Sequence, residues 1–232
     1  MSPEPLQAVS AQAAPLASQL ADEANHRIAN HLAMLAALGR LPAKGAGRTP
    51  IALSGKDVQR LLDDFAGRLE TVAEIHRLLA RQPGGAPVDV ADYLDRIAQG
   101  LVSSLTANGQ TTIHCRFPMR LVLPAEQAVA LGLLVSELIT NALKYAHPAG
   151  VAGAIAIEAS RDDDGTIAIE VGDDGVGLPG DIDPLQSQSL GFRTIRLLAR
   201  QLGASVSFDN HGLGLSYVVH IPYAGSVLKS VS

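Results

Sequence analysis

Two stretches of helical periodicity, separated by a short break rich in glycine and proline, constrain this chain most strongly. The first covers about residues 15–41, and the second covers residues 54–82 with an apolar side chain at nearly every third or fourth position. The second apolar stripe is close to the heptad spacing of a coiled coil. Because one hairpin of two such helices cannot bury both stripes, residues 13–85 predict an all-α hairpin that dimerises into a four-helix bundle.

The periodicity changes after the Pro- and Gly-rich segment 83–87, which predicts a domain boundary. Residues 86–224 alternate helical and β-type runs and predict an α+β sandwich, with helices on one face of a mixed sheet. We expect a flexible N-terminus over 1–12 and a tail over 225–232. The predicted elements are helices at 89–105, 125–146 and 189–202 and strands at 111–117, 154–160, 166–171, 205–208 and 215–221. Asp89 can cap the first of these helices, and Gly203 ends the last.

Composition excludes several classes of function. The formal net charge of −5 and an aromatic content of 3% argue against a nucleic-acid binder, which needs basic patches or stacking rings. The single cysteine, Cys115, allows neither an internal disulfide nor a multi-cysteine zinc site. No uninterrupted apolar run approaches the ~18–20 residues that span a bilayer. We therefore expect a soluble, cytoplasmic protein without a membrane partner.

The segment Glu137–Ala146 places three polar side chains on one face of a predicted helix. Glu137, Asn141 and Lys144 stand at positions i, i+4 and i+7. Carboxylate and amide oxygens suit Mg²⁺ and its water shell, and a lysine can meet a phosphate as a point charge. Taken alone, the pattern fits a plain polar stripe on an amphipathic helix equally well.

A second segment, Val171–Pro179, begins at the end of a predicted strand and contains Asp173, Gly175 and Gly177. A partly buried carboxylate can accept a hydrogen bond from an exocyclic amine such as adenine N6, and glycines let the backbone pass close to a ring. Taken alone, an Asp-Gly turn is the more common explanation.

In this order and within this α+β pattern, the two segments resemble the N box and the first glycine box of the histidine-kinase/Hsp90/MutL type of ATP-binding domain. The resemblance implies that Asn141 holds Mg²⁺, that Asp173 recognises adenine, and that Gly175 and Gly177 border a lid over the phosphates of ATP. Glu137 and Lys144, on the same predicted helix face as Asn141, are further candidate nucleotide-binding residues.

The segment Ser189–Arg193 resembles the second glycine-containing segment of that family, of which Gly191 is retained. The helix that follows offers backbone amides to a phosphate. Arg193, Arg196 and Arg200 form a basic stripe that we expect to pair with the acidic stretch 162–183. Arg193 stands nearest the predicted lid and is a candidate phosphate contact.

Near the N-terminus, Glu23 precedes His26 by one helical turn, so the two side chains share a face. A carboxylate that hydrogen-bonds one imidazole nitrogen fixes the tautomer and makes the other nitrogen a better nucleophile. The segment 23–32 resembles the E-x-x-H-R-x-x-N-x-L phosphoacceptor motif of the HWE-like sensor histidine kinases. The resemblance covers about residues 20–222 and implies His26 as the phosphorylated histidine, with Glu23 assisting.

Two functional hypotheses follow from these residues. The first is a soluble histidine kinase of a two-component system, which phosphorylates His26 from Mg-ATP and passes the phosphoryl group to an aspartate of a response-regulator receiver domain. An upstream sensor or kinase would supply the signal. The second is a phosphotransfer relay with a degenerate ATP-binding domain, favoured by Ala29 and His31, which depart from the family pattern, and by the single Gly191.

Overall fold

The computed structural model describes residues 54–80, 86–105, 111–148, 151–162 and 165–222, apart from positions 180, 181, 185, 188 and 211. The first helix of the predicted hairpin, the break after it and the tail after 224 lie outside these residues. The dimeric four-helix bundle and the domain boundaries therefore stay predictions.

Four helices and seven strands follow one another along the described residues. The helices are α1 (Gly55–Ala80), α2 (Val90–Leu105), α3 (Ala125–Tyr145) and α4 (Leu190–Leu202). The strands are β1 (Val88–Asp89), β2 (Thr111–Arg116), β3 (Val122–Leu123), β4 (Gly153–Arg161), β5 (Ile167–Asp173), β6 (Ser205–Asn210) and β7 (Leu215–Ile221). The sequence missed only the two-residue strands β1 and β3, which pair with each other.

The main sheet has five strands in the order β2-β4-β5-β7-β6. Strands β2 and β4 run parallel, and every other neighbouring pair is antiparallel, so the sheet is mixed. Alternate side chains of β4 are buried, as one-sided packing requires. Helices α2, α3 and α4 contribute to the core that covers the sheet, which confirms the predicted α+β sandwich.

Helix α3 forms the centre of the core, and most of its side chains are buried, including every one from Ala128 to Ile139. Its length and composition would allow it to cross a membrane, but 72% of its apolar window is buried inside the domain, as in the core helix of a soluble fold. Gly132 makes room there for the ring of Tyr93, because a Cβ at this position would overlap the phenol.

Two helix ends follow the sequence signals closely. Asp89 accepts a hydrogen bond from the Ala91 amide at 3.2 Å and so caps α2, as predicted. Gly203 ends α4 in the left-handed conformation, with φ of 65°, and its amide donates to the carbonyl of Arg200.

Helix α1 belongs to the predicted hairpin, yet it packs on the α+β sandwich through its C-terminal half. Val72 and Ile75 are buried against the same core as α2 and α3. Towards its N-terminal half, Leu62, Phe65 and Leu69 are exposed. The apolar stripe is therefore divided between the sandwich and a side that the described residues leave uncovered.

Candidate nucleotide site

Helix α3 presents the predicted polar face between the first turn of α4, which Gly191 brings close to Glu137, and the segment after Asp173, which packs on Ala146. We call this region the cleft. The neighbouring Leu138, Ile139 and Ala142 are buried in the core, which fixes the rotation of the helix. Glu137 is 7% exposed, Asn141 is half-buried and Lys144 is exposed, so the three side chains step outward along the face. The Asn141 side chain makes no hydrogen bond to any described residue, which leaves its amide oxygen available to a ligand.

Gly191, in the first turn of α4, brings the second glycine segment against this face. A Cβ on Gly191 would lie 2.6 Å from Glu137 Oε1 and 3.6 Å from Asn141 Oδ1. Ser189 makes no side-chain cap at this helix end, which leaves first-turn N–H groups for an anion. The structure therefore brings together Glu137, Asn141 and the N-terminus of α4, which we call the phosphate end of the cleft.

Asp173 lies at the other end of the cleft. The sequence places it just after a strand, whereas it is the last residue of β5, paired with Leu215 of β7. Its Oδ1 accepts a hydrogen bond from the Gly175 amide at 2.9 Å. Burial raises the pKa of this carboxyl, and the hydrogen bonds from Gly175 and Leu215 offset part of the rise.

The two glycines after Asp173 are required by close approaches of backbone. A Cβ on Gly175 would overlap the carbonyl oxygen and Cα of Ala146, just after the end of α3. The next amide, that of Val176, donates to the same Ala146 carbonyl at 2.9 Å. Gly177 has a φ of 68°, in the left-handed region that favours glycine. This segment, the adenine end of the cleft, is thus built largely from backbone contacts.

Asn210, at the end of β6, is a site residue that the sequence analysis missed. Its Oδ1 accepts from the Leu178 amide at 3.2 Å, and its Nδ2 donates to the Leu178 carbonyl at 2.9 Å. A Cβ on Gly177 would meet the same Oδ1. Asn210 therefore holds the start of the predicted lid through both backbone groups of one residue. Nothing in the sequence marks Asn210, because its partner lies 32 residues away.

A histidine–aspartate pair lies beside Asp173 and was also missed. His147 Nε2 lies 2.8 Å from Asp174 Oδ1, and the Ala154 amide donates to the same oxygen at 2.8 Å. The Ala154 hydrogen bond and then His147 lower the pKa of the Asp174 carboxyl. Gly153 leaves space for the imidazole ring, which a Cβ would overlap.

In the basic stripe on α4, Arg196 contacts the segment before the helix through backbone groups, while the pairing of the stripe with the acidic stretch 162–183 stays a prediction, because several residues of that stretch lie outside the described ones. Arg196 donates to the backbone carbonyls of Pro184 and Ser187, at 3.3 and 2.8 Å, and so fastens the segment between the first glycine box and α4. Arg193 is half-buried one turn from Ser189, and its side chain makes no hydrogen bond or ion pair to the described residues. It remains a candidate phosphate contact.

Arg68 of α1 reaches into the phosphate end of the cleft. Its Nε and Nη2 donate to the two carboxylate oxygens of Glu137, at 3.1 and 2.7 Å. The side chains are 19% and 8% exposed, so the pair is largely removed from water. No sequence pattern marks this contact, which joins residues 69 positions apart. His26 and Glu23 lie outside the described residues.

The residues of the cleft fit magnesium and ATP. Among the described residues, no cluster of three His, Cys, Asp or Glu side chains could hold a metal ion. Glu137 and Asn141 converge on Gly191 as two oxygen donors, which suits an ion that takes its remaining ligands from phosphates and water. Asp173 at the other end offers the acceptor that an adenine amine requires.

Comparison with family models agrees with this geometry. Residues 126–225 match the model of the histidine kinase-, DNA gyrase B- and HSP90-like ATPases, which defines the α+β sandwich as an ATP-binding domain of that class. Residues 23–105, which include α1 and α2, match a histidine kinase model. The chain belongs to the HWE-like sensor histidine kinase family.

Individual relatives point the same way. The chain is 29% identical over 215 residues to a blue-light-activated histidine kinase from Erythrobacter litoralis, covering 91% of this chain and 59% of that protein. It is 30% identical over 203 residues to the sensor histidine kinase PdtaS of Mycobacterium tuberculosis, covering 86% and 38%. The histidine kinase domain of the Erythrobacter litoralis EL346 protein superposes with a TM-score of 0.65, at 27% identity over 90% of this chain and 95% of that domain. The chain thus spans 59% of the length of the first of these relatives and 38% of the second.

Proposed function

We propose that this chain is the kinase core of a two-component system, which phosphorylates His26 from Mg-ATP and passes the phosphoryl group to a response-regulator aspartate. The observation that carries the proposal is the two-ended cleft. Asp173 offers an acceptor at one end, and Glu137, Asn141 and the N-terminus of α4 converge at the other. Membership of the histidine kinase family also supports this function.

The adenine end selects the base in this proposal. The Asp173 carboxylate accepts from the exocyclic amine of adenine, while Gly175 and Gly177 keep side chains away from the ring. Because Gly175 packs directly on Ala146 and Asn210 holds Leu178, this end needs little rearrangement before it binds.

At the phosphate end, Glu137 and Asn141 would hold Mg²⁺, and Lys144 and Arg193 would meet phosphate oxygens. The ion would neutralise charge on the β- and γ-phosphates as the γ-phosphoryl group transfers. First-turn amides of α4, beside Gly191, add fixed positive dipoles at the same place.

His26 is the acceptor in this proposal. One imidazole nitrogen attacks the γ-phosphorus in line, the bond to the β–γ bridging oxygen breaks, and ADP leaves. Glu23, one turn earlier, takes the hydrogen bond from the other ring nitrogen and balances the positive charge that develops on the ring. The phosphoryl group then passes from His26 to a receiver-domain aspartate.

The exposed apolar side chains of α1 support a homodimer. The sandwich leaves three apolar side chains of α1 uncovered, namely Leu62, Phe65 and Leu69. In a four-helix bundle, the other helix of the hairpin and a second copy of the chain would cover them. A receiver domain would approach the bundle around His26, and an upstream sensor or kinase would supply the signal. A cytoplasmic location is part of the same proposal, because ATP and a receiver domain must both reach the chain.

The test is incubation of the whole chain with γ-labelled ATP and magnesium. We expect acid-labile label on the wild type, none on His26→Gln, and label retained on His31→Gln, a histidine five positions away. Label that persists on His26→Gln would contradict the assignment of the phosphoacceptor.

A relay protein that does not use ATP is the second candidate. Ala29, His31 and the single glycine of the second segment favour it, as does the engagement of Glu137 by Arg68. Calorimetric titration separates the two functions, because a relay would show no heat of Mg-ATP binding and would accept phosphate only from another phosphorylated protein.

A further inference from the structure

The Arg68–Glu137 ion pair joins the helical segment to the nucleotide site. Arg68 lies on α1, at the boundary between the exposed Leu62–Phe65 side and the buried Val72–Ile75 seat on the sandwich. Glu137 lies on α3 and lines the phosphate end beside Gly191. A helix outside the α+β sandwich therefore contacts a residue that the proposed function gives to Mg²⁺.

The geometry of the pair occupies the whole carboxylate. Each oxygen of Glu137 accepts from a different nitrogen of Arg68, in the two-pronged arrangement that guanidinium and carboxylate groups favour. On the same helix, Arg77 and Glu74 also form a pair, but their side chains are 66% and 47% exposed. The contact at Glu137 differs because it is removed from water and therefore weakly screened.

The Arg68–Glu137 pair leaves one of its buried nitrogen donors without a hydrogen bond to the described residues. This donor is Arg68 Nη1. A buried ion pair recovers its desolvation cost only when its remaining donors are also satisfied, so such a pair is weak evidence for a stabilising role. A contact that can open and close is the better explanation of these observations.

We propose that Arg68 competes with the Mg-nucleotide for the Glu137 carboxylate, so that α1, when docked, restrains the nucleotide site. This inference rests on the proposed function. When Mg-nucleotide binds, Glu137 exchanges the guanidinium for the magnesium and its waters, and Arg68 turns away from the cleft. By thermodynamic reciprocity, a signal that moves the Arg68 end of α1 away from Glu137, while Val72 and Ile75 stay seated on the sandwich, raises the affinity for Mg-nucleotide.

The experiment is calorimetric titration of the whole chain with ADP, with magnesium and with a chelator. Arg68→Gln removes an interaction of the restrained state only, so it should tighten Mg-ADP binding by at least about fivefold. It should change binding of magnesium-free ADP little, because that ligand does not need Glu137. Arg77→Gln, on the same helix, is the matched control and should bind as the wild type does.

Three further measurements sharpen the test, and the first two keep it decisive if Arg68→Gln folds poorly. Arg68→Lys keeps a cation but loses the two-pronged contact, and should give a smaller gain in the same direction. In the wild type, Mg-ADP should increase amide hydrogen exchange over residues 55–68 and leave 72–80 unchanged. In a Glu137→Gln background, Arg68→Gln should no longer alter the affinity, because the competition acts through that carboxylate.

Equal or weaker Mg-ADP binding by Arg68→Gln, or protection of residues 55–68 on binding, would overturn the competition and leave the proposed function standing. Absence of any adenine nucleotide binding, in wild type and variants alike, would overturn the proposed function and the competition with it.

Discussion

The two ends of the cleft are built in different ways. At the adenine end, Asp173, Gly175 and Gly177 are held by backbone contacts to Ala146 and by the two hydrogen bonds of Asn210. At the phosphate end, Glu137 is tied to a side chain from another helix, and Asn141 has no hydrogen-bond partner among the described residues. The first end is preorganised, and the second changes its partners when a ligand arrives.

This difference assigns separate tasks to the two ends. A rigid pocket recognises the base at low entropic cost, because few groups must be ordered on binding. An end whose charges are held by exchangeable partners can respond to the position of α1. Substitutions at the adenine end should therefore change affinity in the presence and absence of magnesium alike, whereas those at Glu137 and Asn141 should act only with magnesium.

The largest effect is expected for Gly175→Ala. The added methyl group would overlap the backbone of Ala146, which cannot move without shifting the end of α3. We expect a loss of about 1–3 kcal/mol in the free energy of unfolding, together with loss of nucleotide binding. Thermal unfolding and calorimetry measure the two.

The control is Gly100→Ala, at an exposed position of α2 with no atoms in the way of a Cβ. Alanine favours the helix there, so this variant should gain about 1 kcal/mol and bind nucleotide normally. A Gly175→Ala variant with unchanged melting temperature would show that the adenine end is not rigidly packed.

Asp173→Asn should separate recognition from stability. Loss of the charged acceptor should weaken adenine nucleotide binding by ~1.5–3 kcal/mol, with or without magnesium. Burial raises the pKa of Asp173, so the folded state holds a proton more readily than the unfolded state, and ionisation costs stability as the pH rises through that raised pKa. The uncharged variant should therefore melt no lower than the wild type at pH 7; a clearly lower melting temperature would contradict this.

Asn210→Ala should have an intermediate effect. It removes both hydrogen bonds to Leu178, each worth ~0.5–1.5 kcal/mol, and frees the start of the lid. We expect weaker nucleotide binding in calorimetry and faster proteolysis after Leu178. Asn210→Asp keeps the acceptor for the Leu178 amide and should lie between Asn210→Ala and the wild type; identical behaviour of all three proteins would remove Asn210 from the site.

The smallest effect is expected for Asp174→Asn, which removes charge from the contacts with Ala154 and His147. These contacts lower the pKa of Asp174, so its carboxylate stabilises the fold above the unfolded pKa of ~3.9, and the contribution is lost as the pH falls through the lowered value. The variant should melt slightly below the wild type at pH 6, and the difference should shrink as the pH falls below the unfolded pKa. A difference that does not shrink would contradict the assignment.

The sequence predicted the fold well because its signals are local. The periodicity of α1 and α3, the Asp89 cap and the Gly203 stop each depend on neighbouring residues, and each appears in the structure close to its expected position. The strands β1 and β3 were missed because two-residue strands carry no period.

Only those residues of the candidate site that have a local sequence signal could be predicted. Glu137, Asn141 and Asp173 could be named because they sit in short motifs, and Gly175 and Gly191 because glycine marks a close approach. Arg68, Asn210 and His147 could not be named, because their partners lie 27 to 69 positions away and only the fold brings them together. The roles of all these residues in nucleotide binding stay proposals.

A crystal structure of the whole chain grown with magnesium and a non-hydrolysable ATP analogue tests the account most directly. We expect the adenine amine within hydrogen-bond distance of Asp173, the triphosphate and a magnesium ion beside Asn141 and Glu137, and Arg68 turned away from Glu137. A cleft that stays empty at saturating nucleotide, or an analogue bound with its base away from Asp173, would contradict the account.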